Sequence, residues 1–340
     1  MGSLARIIVD GYTDLMENKS DPRVKDWFLM SSPFPTILIC ITYVYSMKVL
    51  GPRIMENRKP FQLNKVLIVY NLLQVCISTW LFYESCVTGW LTHYSFRCQT
   101  VDYSNDPMAL RMARGCWWYY MSKFSEFFDT LFFVLRKKNR QISTLHILHH
   151  GIMPLSVWFG VKFTPGGHSS FFGFLNTFVH IIMYTYYLLA ALGPQYQKYL
   201  WWKKYLTTIQ MIQFVLVVIH AFQLVFIECD YPKAFVWWIG GHGLMFYILF
   251  SKFYKETYKD DNKKEKVKVE DKPTEESMDD EFEGLSEDDE RRFNIGICFA
   301  TQTSLYDDDD SLKKIKKGYK TDDNTLRNRA FINTITTADS

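Results

Sequence analysis

Residues 121–138 read MSKFSEFFDTLFFVLRKK. Phe and Leu dominate, yet Lys123, Glu126 and Asp129 recur at every third position, with Thr130 beside them. Helix positions three and four apart share a face, so the three charges form one stripe. Phe124, Phe127, Phe128 and Phe132 cover the remaining surface. A charge at the centre of a membrane helix costs about 2.5–3.5 kcal/mol on the insertion scale, so such a stripe must face a bundle interior or a wet cavity. The stretch therefore predicts a membrane helix inside a bundle. The purely structural alternative is a buried Lys123–Glu126 ion pair that fixes helix packing.

Outward from this stretch the chain divides into two unlike parts, which the mean hydropathy of −0.11 averages together. Apolar segments occupy 34–50, 65–83, 116–135, 147–161, 170–192, 205–227 and 235–253. They predict an all-α polytopic membrane protein with seven transmembrane helices over 34–254. Residues 1–33 form an N-terminal segment without a cleavable leader, since no basic n-region precedes the first apolar run. Residues 255–340 are mostly charged and polar, with DDDD at 307–310 and KKIKKGYK at 313–320. Such a composition buries too little apolar surface to offset ordering entropy, so a disordered tail is expected. The net charge of +3 says little because the charges are segregated.

Lys and Arg set the orientation. They crowd the connections 51–64, 136–146 and 193–204, whereas the alternate connections carry only Arg97, Arg111, Arg114, Lys162 and Lys233. The positive-inside rule then places the N-terminus in the lumen and the tail in the cytosol. The sequon at Asn18 falls on the lumenal side, where glycosylation is possible. Cys98 and Cys229 also fall in lumenal loops, where an oxidising compartment joins cysteines; free thiols are the alternative.

Further polar residues gather towards the cytosolic half. TLHILHHGIMP (144–154) places three of the chain's eight histidines, His146, His149 and His150, at helical spacing. Asn176, His180, Tyr184 and Tyr187 share a face in the fifth segment, and Gln210 and Gln213 share one side of the sixth. His220 lies in the same sector as Gln213, while His168 reads as an ordinary loop residue. Arg136, Lys137, Lys138, Lys203 and Lys204 stand around the mouth of the pocket these residues would form. They satisfy the positive-inside rule and are also suited to attract a phosphorylated substrate.

Several chemistries suit such a pocket. A histidine-box di-iron desaturase or hydroxylase needs many ligands, and His180 and His220 would have to complete a ligand-poor site. No sequence feature favours zinc. A receptor does not require these polar groups at one depth, whereas a transporter can use them. Acyl chemistry suits them as well. A neutral imidazole attacks a thioester, leaves readily from its acyl adduct and serves as a general base.

Lys123-x-x-Glu126-x-x-Asp129-Thr130, His146-x-x-His149-His150, Asn176-x-x-x-His180-x-x-Met183-Tyr184 with Tyr187, and Thr207-x-x-Gln210-x-x-Gln213 occur in this order. Over residues 20–258 the chain resembles the very-long-chain fatty-acid elongases of the endoplasmic reticulum, the ELO condensing enzymes. The resemblance implies a 3-oxoacyl-CoA synthase that joins long-chain acyl-CoA and malonyl-CoA with loss of CO2 and CoA. It needs no cofactor. The resemblance further implies a barrel of the last six helices around an acyl tunnel, with the first helix outside. By position, His149 is the acyl acceptor and His180 polarises the malonyl group. His146, His150, Lys123, Glu126 and Asp129 then orient and balance them. Asn176, Tyr184, Tyr187, Gln210 and Gln213 bind substrate carbonyls. Expected partners are the two CoA esters, the bilayer, other enzymes of the elongation cycle and a second copy in a homodimer; nucleic acid is not among them.

Overall fold

The computed structural model describes residues 3–256, leaving the charged tail and Cys298 outside the described residues. Among these residues all regular structure is helical. The helices are α1 (Ser3–Glu17), α2 (Phe34–Tyr45), α3 (Gly51–Met55), α4 (Asn64–Ser85), α5 (Pro107–Ser125), α6 (Phe127–Leu135), α7 (Thr144–Phe163), α8 (Ser170–Ala191), α9 (Lys203–Phe226) and α10 (Lys233–Tyr254).

Five stretches are long and apolar enough to cross a membrane: Phe34–Met55, Asn64–Trp90, Gly167–Ala191, Lys203–Phe226 and Lys233–Tyr254. The other two segments read from sequence correspond to α5 with α6, and to α7. These carry the charged stripe and the three histidines, and that polar content is what lowers their hydropathy. The α5–α6 stretch is also interrupted at Glu126. There Asp129 N–H donates to Glu126 O at 3.2 Å, a tight turn in place of the regular α-helical bond.

Packing follows the distribution of apolar faces. α4 lies along α8 and α9 along α10, α8 meets α9, and α5 meets both α4 and α7. Large side chains bridge α7 to α10, where Trp238 Nε1 donates to Ser156 Oγ at 2.9 Å and Phe246 meets the His149 ring. α2 packs on α7 and leaves Phe34, Leu38 and Ile41 exposed. Exposed Val69 and Leu73 on α4, Ile212 and Ile219 on α9, and Trp237 and Ile248 on α10 mark the outer surfaces as lipid-facing. The buried polar side chains gather inside, the reverse of a water-soluble bundle.

The N-terminal segment holds a helix that its polar content had hidden. In α1, Leu4, Ile7, Ile8, Tyr12 and Leu15 recur at helical spacing, and all are exposed. At the same end of the molecule a disulfide joins Cys98 to Cys229. Asn18 follows α1 directly, exposed, with Nδ2 donating to Asp14 Oδ1 at 2.9 Å.

Candidate active site

The site begins with a helix cap. Ser143 Oγ accepts from His146 N–H at 3.1 Å and starts α7. The helix then brings His146, His149 and His150 to one face, with ring centroids 4.4 Å apart for His146–His150 and 5.0 Å for His149–His150. His146 Nε2 lies 2.7 Å from Thr130 Oγ1, which lies 2.7 Å from Tyr43 OH. A tyrosine of α2 thus orients the first histidine through the threonine of α6.

The charged stripe lies behind the histidines. Lys123 Nζ donates to Glu126 Oε1 and, at 3.1 Å, to Asn176 Oδ1. Glu126 also faces His180 Nδ1 at 3.5 Å and His150 Nδ1 at 3.8 Å. One carboxylate therefore links a lysine and two histidines from different helices, all buried. Asp129 Oδ2 accepts from Tyr184 OH at 2.8 Å. The structural alternative read from sequence, a packing ion pair, exists here as part of this larger network.

Asp129, His146, His149, His150, Asn176, His180, Tyr187, Gln210 and Gln213 all line one cavity, closed by Phe133, Phe214 and Phe250. Lys123, Glu126 and Tyr184 stand behind its wall and act through their neighbours. Gln210 donates weakly to Met183 Sδ at 3.6 Å, while Gln210 Oε1 and Gln213 Nε2 have no protein hydrogen bond. Buried polar atoms are costly when unpaired, so amides aimed into a cavity suit a polar ligand. His220 lies elsewhere, stacked on His168 with centroids 3.8 Å apart. It does not complete the ligand set that the di-iron reading required.

None of the five basic mouth residues lines this cavity. Arg136 is buried at 8% exposure, and Lys137 Nζ donates to Glu56 O at 2.8 Å. Lys138 and Lys203 are half-buried, and Lys204 is exposed with its ammonium 5.2 Å from the Tyr205 ring centroid.

A second, larger cavity lies beyond Asn176 between α4, α5, α7, α8 and α10. Tyr119 stands at the junction: it lines this cavity, and its hydroxyl donates to Asn176 Oδ1 at 2.8 Å. Many lining residues carry hydroxyls, but these turn back on their own helices. Ser85 donates to Leu81 O at 2.9 Å, Thr88 to Glu84 O at 2.6 Å and Thr177 to Gly173 O at 2.9 Å. With the donors committed to backbone carbonyls, the cavity presents mainly methyl and aromatic surface. Glu84, at the far end, is paired with Arg111 at 2.7 and 3.0 Å.

Tyr43, Thr130 and Tyr119 are the participants a site-by-site reading of the sequence underrates. Thr130 has motif spacing as a signal, but the two tyrosines sit in aromatic runs that look like packing.

Together these features define an all-helical membrane protein with an interior site of histidines, amides and a carboxylate–lysine network, and an apolar cavity on the far side of Asn176 and Tyr119. The ELO family, also described as the GNS1/SUR4 family, matches residues 28–266. A very long chain fatty acid elongase of Aedes aegypti is 69% identical over 252 residues, 74% of this chain and 70% of the relative. Elongase 7 of Drosophila melanogaster is 67% identical over 76% of this chain and 79% of its own length, and human elongase 1 is 48% identical over 74% and 90%. The chain belongs to the ELO family of very long chain fatty acid elongases and is an enzyme of fatty-acid elongation. The desaturase alternative is not favoured by these relatives.

Proposed function

We propose that this chain catalyses the condensing step of elongation, joining a long-chain acyl-CoA to malonyl-CoA as a 3-oxoacyl-CoA synthase. The observation that carries the reading is the meeting of His149, His180, Asn176, Gln210 and Gln213 around one cavity that neighbours a larger apolar one. A fatty acyl thioester needs an apolar slot for its chain and hydrogen-bond donors for its carbonyl oxygen. The two cavities are the segments of one acyl tunnel, enclosed by the last six of seven spans.

In the covalent route a ring nitrogen of His149 attacks the acyl carbonyl. The carbon–sulfur bond breaks, CoA leaves as the thiol with the proton lost by the imidazole, and an acyl-imidazole remains. Malonyl-CoA then loses CO2. The electron pair of the broken bond becomes a thioester enolate, which attacks the acyl carbon and returns the pair of the carbon–nitrogen bond to His149, and the departing imidazole takes a proton from water to become neutral again. His180 steadies the enolate oxygen, while Glu126 and Lys123 hold His180 and His150 in place. Tyr187 and the two glutamines bind carbonyl oxygens, and the cytosolic lysines steer the CoA phosphates without lining the cavity. The enzyme works in the endoplasmic reticulum membrane with its N-terminus lumenal, its tail cytosolic and Asn18 available for glycosylation. It passes its product to the other enzymes of the cycle and is suited to form a homodimer.

Rapid mixing with acyl-CoA alone tests the covalent route. A stoichiometric burst of CoA, lost in His149→Ala, is expected; steady multiple-turnover elongation without any burst would replace it by a ternary-complex mechanism in which His149 is a base. Labelled malonyl-CoA with acyl-CoAs of graded length tests the reaction class. No two-carbon extension of any of them overturns it.

A further inference from the structure

Beyond the larger cavity, further from His149, lies a small recess lined by His168, His220, Tyr231, Phe171 and Val217. It shares Ser169, Phe172, Phe235 and Ile239 with the larger cavity, so the two adjoin. His220 is ten residues beyond Gln210 on α9, about 15 Å along the helix at 1.5 Å per residue. The recess has room for about one water molecule, too little for a further segment of chain.

Its two imidazoles are held in fixed orientations, while the Tyr231 hydroxyl in the same wall has no hydrogen-bond partner. The His220 ring lies between Phe171, with centroids 4.0 Å apart, and His168, at 3.8 Å. Only the ring edges remain for hydrogen bonding. His168 Nε2 is 2.7 Å from the His220 carbonyl oxygen, so it carries the proton and donates. That fixes the tautomer and leaves His168 Nδ1 as a bare acceptor. Neither His168 Nδ1 nor His220 Nε2 has a hydrogen-bond partner in the protein, and the two residues are 3% and 8% exposed. The surrounding loops are tied down. His168 N–H donates to Gln99 O at 2.8 Å, next to Cys98 of the Cys98–Cys229 disulfide.

We infer that this recess is a binding site for a single hydroxylic oxygen at the distal end of the acyl tunnel. The inference rests on the reading of the cavities as an acyl tunnel. A hydroxyl donates to His168 Nδ1 and pairs with His220 Nε2, satisfying both nitrogens. With a methyl-ended chain the oxygen belongs to a water, and the methyl end stops at Phe172 and Ile239. A methyl group reproduces none of that water's hydrogen bonds and so displaces it at a loss. With a chain bearing a terminal hydroxyl, the substrate supplies the oxygen. The site thus selects for ω-hydroxyacyl chains of the length that reaches it, and it stops methyl-ended chains.

The test is a matched series of methyl-ended and ω-hydroxyacyl-CoAs of increasing length, elongated with labelled malonyl-CoA by the full-length enzyme in membranes. His220→Phe keeps the ring sandwich and Tyr231→Phe keeps the shape of the recess wall. At the length that reaches the recess, the ω-hydroxy substrate is expected to have a KM about three- to ten-fold lower than its methyl-ended counterpart. Shorter pairs show no such preference. In His220→Phe the preference disappears, while short methyl-ended substrates are elongated as by the parent enzyme, which reports on folding. A hydroxyl-to-methyl KM ratio that is the same at every length, or that is unchanged in His220→Phe, overturns the inference. Failure to extend any methyl-ended substrate overturns instead the condensing reading on which it rests.

Discussion

The two main cavities are built from similar residues and have opposite character. The histidine cavity and its larger neighbour are both lined by polar side chains and large apolar ones. In the larger cavity Ser85, Thr88 and Thr177 donate to carbonyls one turn back, so their polarity is cancelled locally. In the histidine cavity Gln210 Oε1 and Gln213 Nε2 stay uncommitted, while His146 is held from behind by Thr130 and Glu126 faces His150 at 3.8 Å. A cavity's chemistry is thus decided by which of its hydrogen-bonding atoms remain available, and composition does not report that.

The largest effect is expected where this contrast is greatest. His149→Ala removes the proposed nucleophile and should lower kcat by about 10²–10⁴-fold, measured as labelled malonyl-CoA incorporation, with the fold retained. Activity close to that of the parent would move the chemistry to another histidine. Lys123→Met leaves Glu126 buried without its cation. Breaking a buried pair in this way costs about 3–5 kcal/mol, so a marked fall in melting temperature in detergent is expected. The Lys123→Met/Glu126→Gln double variant should melt closer to the parent.

The apolar cavity responds in length rather than in rate. A Cβ at Gly173 meets only the Tyr119 ring, at ordinary contact distances of 3.7 Å and beyond. Gly173→Leu therefore has room to fold and projects its added bulk into the cavity. Products should become shorter while short acyl-CoAs are elongated normally; an unchanged product distribution would mean that the chain takes another path. A smaller change is expected for Tyr43→Phe, which removes the hydrogen bond to Thr130 and frees His146 to turn. A net hydrogen bond is worth about 0.5–1.5 kcal/mol, so kcat should fall by about three- to ten-fold with little change in KM. Least of all, Thr177→Val removes a hydroxyl that serves only its own helix, so activity should stay at the parent's level and stability should fall by about 1 kcal/mol or less. A large loss of activity there would show that the hydroxyl is not committed as its geometry indicates.

The legible part of the site is the part that local helix periodicity can report. The Lys123–Glu126–Asp129 stripe, the histidine triplet, the Asn176–His180 face and the Gln210–Gln213 pair each lie within one helical stretch. Residues three and four apart converge wherever the helix is placed. The membrane class was equally legible, since five stretches qualify by length and composition alone. The reading fell short wherever an interaction joins distant positions. Tyr43 reaches Thr130 across 87 residues and Tyr119 reaches Asn176 across 57. His168, which reads as a loop residue, meets the His220 carbonyl across 52. Arg136 carries a mouth residue's charge, yet at the C-terminal end of α6 it is buried.

By itself, then, the sequence determined that this chain is a helical membrane protein, which residues would share each helical face, and, through its motifs, the family to which it belongs. Apolar length and helical period are properties of contiguous residues, and they survive without any knowledge of neighbours. Only the tertiary structure decided which faces meet. It placed His149 and His180 around one cavity, set Glu126 between two histidines and a lysine, and turned the hydroxyls of the neighbouring cavity back onto their helices. It also moved His220 away from the site and onto His168. Each of these depends on hydrogen-bond partners supplied by another helix, and a partner's position is fixed only when the helices pack.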